Sequence, residues 1–182
     1  MSTDGKGMLN WLRGAVVSLT LVFYHLPAMA AEARAIPEPE FEEFILGITP
    51  ICNAMPAQHC IDRAWRFVDQ NRDEHLSLDE LAALQDAVRR WAAWRGESLP
   101  PRSRTGVLLG LTLVQSVGLE RLIQSYDANK DQRLSRSELL SDITLDERPL
   151  GEVLRDPKGL DREALAARLG SVGVLLNGVY DN

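Results

Sequence analysis

From Ala57 onward the chain alternates between stretches of helical period and short polar interruptions. Ile61, Ala64, Trp65 and Val68 stand at i, i+3, i+4 and i+7, one face of a helix. Polar residues follow from Asp69. Leu81, Leu84, Val88 and Trp91 trace a second stripe that ends near Gly96. Leu99-Pro100-Pro101 reads as a linker. A third helix is predicted over 103–126, and residues 105–119 within it carry no charge. Gly106 and Gly110 stand four apart, a spacing also used by membrane helix pairs. The run is shorter than the roughly 20 residues a span needs, so it predicts a fully buried core helix. A second polar stretch starts at Asp127, and a helix is predicted over 136–143. Residues 156–159 read as a turn, 162–169 as a short helix and 172–180 as an apolar tail. Ahead of Ala57, residues 41–48 predict a short helix behind a flexible acidic lead-in at 31–40. The order is helix, polar loop, helix, linker, helix, polar loop, helix. That is an internal repeat of an all-α chain.

Residues 1–30 differ from the rest. Lys6 and Arg13 give a positive start, residues 15–24 are uncharged and mostly apolar, and Ala28-Met29-Ala30 is a small-x-small triplet. This order is that of a secretory signal peptide cleaved after Ala30. The alternative is a membrane-tethered form through an uncleaved segment. The apolar core is short for that, and His25 and Pro27 interrupt its far side. The expectation is a periplasmic or secreted protein with no stable membrane insertion after cleavage. Arg outnumbers Lys 17 to 3, which leans toward a bacterial source. Export places Cys52 and Cys60 where disulfides form. Pro50 and Pro56 bend the chain here, so a Cys52–Cys60 disulfide across a helix-to-helix bend is expected over two free thiols. A metal site from Cys52, His59 and Cys60 lacks the usual ligand spacing.

Composition excludes more than it assigns. The chain has 182 residues, 45% hydrophobic and 25% charged, which suits one domain or a compact pair of small repeats. The net charge of −6 becomes −7 once residues 1–30 are removed, against a nucleic-acid partner. The His residues are His25, His59 and His75 alone, and no Gly-rich phosphate loop, Cys-x-x-Cys or Gly-x-Ser-x-Gly is present. No catalytic constellation emerges, and no enzyme is expected.

The acids are not scattered. The first polar loop is Asp69-Gln70-Asn71-Arg72-Asp73-Glu74-His75-Leu76-Ser77-Leu78-Asp79-Glu80. The second is Asp127-Ala128-Asn129-Lys130-Asp131-Gln132-Arg133-Leu134-Ser135-Arg136-Ser137-Glu138. Each has Asp, Asn and Asp at positions one, three and five, Leu at eight, Ser at nine and Glu at twelve. The flanks match too: Trp65 and Val68 precede one loop as Ile123 and Tyr126 precede the other, and Leu81 and Leu139 follow the glutamates. Two such loops resemble the EF-hand calcium loop.

The resemblance implies a paired EF-hand helix-loop-helix domain over 57–146, after an N-terminal helical segment at 41–56. Residues 147–182 would hold a degenerate third hand and the apolar tail. Aligned on Leu160, the third hand has Ala164 at its last ligand position, so it is expected to bind no calcium. Two Ca²⁺ ions are expected. Asp69, Asn71, Asp73, Ser77 and Glu80 would supply side-chain oxygens in the first loop, and Asp127, Asn129, Asp131, Ser135 and Glu138 in the second. His75 and Arg133 would supply only their carbonyls. Leu76 and Leu134 would point inward and pair in a short antiparallel bridge. One departure occurs twice: Glu74 and Gln132 stand where the family has a positive-φ Gly. That costs on the order of 1 kcal/mol each. A dissociation constant of roughly 10⁻⁵ to 10⁻³ M is expected.

The function implied is a calcium-responsive binding module, with a calcium-stabilised structural or buffering module as the alternative. Only Met55 lies beyond residue 30, so a flexible Met-rich groove is not available. Trp65, Trp91 and Trp94 are expected in the core. A protein partner, unidentified by the sequence, would meet a narrow site near Trp91 and Trp94.

Overall fold

The computed structural model of the protein describes residues 33–170. The expected signal peptide at 1–30 and the apolar tail at 172–180 lie outside the described residues. The chain is mostly helical, as the sequence predicts. Helix α1 (Glu38–Ala54) starts after Pro37, with Glu38 and Glu40 in its positive first turn. It is longer than the predicted 41–48, because Pro50 sits inside it without ending it. The lead-in is not free: Ile36 is 2% exposed, and the backbone of Arg34 exchanges two hydrogen bonds with the Gln70 side chain. Helix α2 (Ala57–Val68) begins after Pro56. The Cys52–Cys60 disulfide joins it to α1, with Cα atoms 4.7 Å apart. Both sulfurs are therefore committed to each other rather than to a metal.

Strand β1 (His75–Leu76) leads into α3 (Leu78–Arg95), which a 3₁₀ turn at Gly96–Ser98 ends. Helix α4 (Pro101–Val117) and helix α5 (Leu119–Tyr126) replace the single helix predicted over 103–126. Gly118 has φ +83°, outside the helical region, and the chain turns there by 81°. Strand β2 (Leu134–Ser135) is followed by α6 (Arg136–Leu139), α7 (Leu150–Val153) and α8 (Arg162–Leu169). The helix predicted over 136–143 stops at Leu139, because Ile143 is drawn into a bridge with Leu160. Gly159 next to it lies so close to the Val153 carbonyl that a Cβ would collide with it.

The core has two clusters. One gathers Trp65, Val68, Leu76, Ile123, Tyr126 and Leu134 between the loops, and Leu81 and Leu139 pack on it. The other gathers Ile36, Phe41, Ala87 and Trp91, with Phe44 stacked on Phe67 at 3.8 Å. Two expectations fail here. Among its described side chains helix α4 has no buried residue, and Leu108 and Leu109 are 50% and 37% exposed. It rests mainly on α3 and α5, with Val107 turned to the second cluster and Leu108 and Leu109 toward solvent. Trp94, one turn beyond the buried Trp91, is also outside the core, at 58% exposure. Among the described residues no single helix is long and apolar enough to cross a membrane.

Helix α8 is fastened by a buried network. Asp142, 6% exposed, accepts from the Tyr126 hydroxyl at 2.9 Å and from Arg168 Nε at 2.9 Å. Arg168 also donates to the Ser125 carbonyl and lies over the Tyr126 ring. Burial, then the bond to Asp142, pushes the Tyr126 phenol well above its usual range. Asp142→Ala strands both donors and should cost about 2–4 kcal/mol, while Asp142→Asn should cost less. Urea unfolding followed by circular dichroism checks both.

Candidate metal centre

The two polar loops are built alike from the first residue. Helix α2 delivers Asp69 and helix α5 delivers Asp127, each as the residue that ends its helix. Asp69 Oδ1 and Oδ2 accept the amides of Asp73 and Glu74, both at 3.1 Å. Asp127 does the same for Asp131 and Gln132, at 3.1 and 2.8 Å. Asn71 Oδ1 accepts the Asp73 amide and Asn129 Oδ1 the Asp131 amide, each at 2.9 Å. Asp73 and Asp131 in turn accept the amides of His75 and Arg133. Each loop is thus curled around its own acids, which satisfies backbone donors that no strand or helix reaches.

That curl needs left-handed backbone. Glu74 and Gln132 have φ +64° and +66°, the positive values the missing glycines imply. Arg72 and Lys130 also have positive φ, +61° and +63°. Nothing in those side chains announces it, since neither is Gly or Asn.

Each loop closes onto the next helix through a capping box. Ser77 caps α3 and Ser135 caps α6, and their hydroxyls and amides bond to Glu80 and Glu138. The Ser-x-x-Glu spacing is a legible signature of this. The other oxygen of Glu80 accepts the Gln70 amide at 2.8 Å, and that of Glu138 the Ala128 amide at 3.0 Å. The two glutamates therefore tie the start of each loop to its end. Bonds from the Ser135 hydroxyl and then its amide hold the Glu138 carboxyl at about 2.

The loops meet along β1 and β2, which pair antiparallel with His75 opposite Ser135 and Leu76 opposite Leu134. Leu76 and Leu134 point inward, 3% and 0% exposed. The His75 ring turns to the Asp73 carbonyl at 2.9 Å, away from a ligand role. The Arg133 side chain crosses between loops to Asp73 Oδ2.

Among the described residues, no three His, Cys, Asp or Glu side chains are gathered closely enough to hold a metal ion. The acids are instead spread over the amides named above. The donor chemistry is nonetheless uniform. Asp69, Asn71, Asp73, Ser77 and Glu80 with the His75 carbonyl, and Asp127, Asn129, Asp131, Ser135 and Glu138 with the Arg133 carbonyl, are all hard oxygen donors, the kind Ca²⁺ takes. Charge distinguishes the first loop. Asp69 is 4% exposed and Glu80 is 2% exposed, and among the described residues neither forms an ion pair. Asp142, equally buried, has Arg168.

No protein-family model matches this chain, and neither does any curated protein or solved structure.

Ser135→Ala should cost about 1 kcal/mol as a lost helix cap. It should also raise the Glu138 carboxyl from about 2 back toward its ordinary 4.5. Folding lowers this group, so its contribution is present above pH 4.5 and is lost as pH falls toward about 2. The variant should lose less across that window. Carbon-detected pH titration of Glu138 and acid melting curves read both effects.

Proposed function

We propose that the protein binds two calcium ions, one in each polar loop, as a paired EF-hand domain of an exported, non-catalytic protein. Asp69, Asn71, Asp73, Ser77 and Glu80 with the His75 carbonyl would take one ion. Asp127, Asn129, Asp131, Ser135 and Glu138 with the Arg133 carbonyl would take the other. The observation that carries this reading is the pair of buried acids, Asp69 and Glu80, for which no counter-charge stands among the described residues. Buried charges are paired or hold metals, because an isolated one costs several kcal/mol. A divalent cation would supply the counter-charge that no described residue provides.

The backbone at Glu74 and Gln132 holds a conformation that glycine adopts more cheaply. Affinity is therefore placed at roughly 10⁻⁵ to 10⁻³ M, the range of extracellular modules. The leading role is a calcium-responsive module. A structural or buffering role is the second reading, favoured by the Tyr126–Asp142–Arg168 network. That network ties the end of α5 to the segment after α6, and so opposes the opening a sensor needs.

Calorimetric titration of the protein with calcium should show two sites in that range, and Asp69→Ala and Asp127→Ala should each remove one. Tryptophan fluorescence should follow the first loop, since Trp65 lies one turn ahead of Asp69. No heat and no fluorescence change at millimolar calcium would defeat the reading. Uptake of a hydrophobic dye on binding selects the responsive role; stabilisation without uptake selects the structural one.

A further inference from the structure

We infer that Arg133 is a built-in competitor for the first calcium site, so that the second loop governs the affinity of the first. The inference rests on the calcium reading above. Arg133 stands at the seventh position of the second loop, where only its carbonyl is required. Its guanidinium reaches across the β1–β2 pair to Asp73 Oδ2, sixty residues away in sequence. The same oxygen accepts from Asn71 Nδ2 at 3.1 Å, while Oδ1 accepts the His75 amide at 3.0 Å. The fifth-position acid of the first loop is therefore fully engaged, and one of its partners is a full positive charge.

The second loop has no such arrangement. The residue equivalent to Arg133 is His75, whose ring stays on its own Asp73 carbonyl. Among the described residues Asp131 forms no ion pair, and its Oδ2 meets only Asn129 Nδ2. Two loops with matching acids thus differ in the cation already present.

The magnitude follows from exposure. The Arg133 and Asp73 side chains are 43% and 32% exposed, so the pair is well solvated and contributes little to stability. Its effect on a divalent ion is larger. A monocation about 6 Å from Ca²⁺ at the dielectric of water disfavours it by about tenfold.

The test is calcium titration by calorimetry and tryptophan fluorescence in the full chain. In an Asp127→Ala background, which leaves only the first loop, Arg133→Gln should tighten binding about tenfold. The gain should shrink at high salt, where the repulsion is screened. Arg133→Lys keeps the charge and should recover clearly less of the gain than Arg133→Gln. In a Glu80→Gln background, which leaves only the second loop, Arg133→Gln should change affinity by less than threefold. Unchanged or weaker first-loop binding in Arg133→Gln overturns the inference while leaving the calcium reading intact. Absence of any calcium response in the parent overturns both.

Discussion

The arrangement depends on a contact only four residues wide. Leu76 and Leu134 face each other where β1 meets β2, and both are buried. Burying a leucine stabilises by roughly 2 kcal/mol, so the pair contributes a sizeable part of a small domain's margin. Its geometric effect is larger. With the eighth residue of each loop fixed inward, the residues before it curl around Asp69 and Asp127. Helices α2 and α5 then bring Trp65, Val68, Ile123 and Tyr126 together around the leucines. Neither loop would hold this shape alone, since each carries two non-glycine residues in left-handed backbone.

Helix α3 carries that geometry to the other core. It starts at the Ser77 cap and ends beyond Trp91, so one rigid rod spans from loop to N-terminal layer. Leu84 and Phe67 pack in both clusters. Trp91 meets the edge of Phe41 at 6.0 Å and donates to Glu42, which fastens α1 against the rod. The disulfide then holds α2 to α1. A shift of the Glu80 carboxylate would therefore be felt at Trp91 through stiff elements rather than through a loop.

What the sequence disclosed follows the range of the physics. Local rules made the helical stripe of α2, the bounds of α8 and the bend that lets Cys52 meet Cys60 legible, while the inward leucines and the positive φ at Glu74 and Gln132 followed from what the loops resemble. The first three depend on neighbours a few residues apart. Matters decided at a distance were not. An uncharged run over 105–119 reads as a core helix, yet only packing determines how many sides are covered, and α4 is covered on one. Gly118 interrupts an apolar pattern that otherwise continues, so the period alone could not place the break. Arg133 reads as a permissive loop residue because its partner, Asp73, is sixty positions away. The same holds for Asp142, whose cation comes from the last described helix.

That last connection draws a late segment of the described chain into the interior. Tyr126 and Asp142 belong to the second loop's surroundings, but the charge that settles them arrives only with Arg168. A chain cut short ahead of Arg168 would possess both polar loops and both paired strands. It would nonetheless hold an uncompensated carboxylate in its interior, the sort of defect that lets a domain open and be degraded. The cation that Asp142 needs thus arrives with α8 rather than with the polar loops.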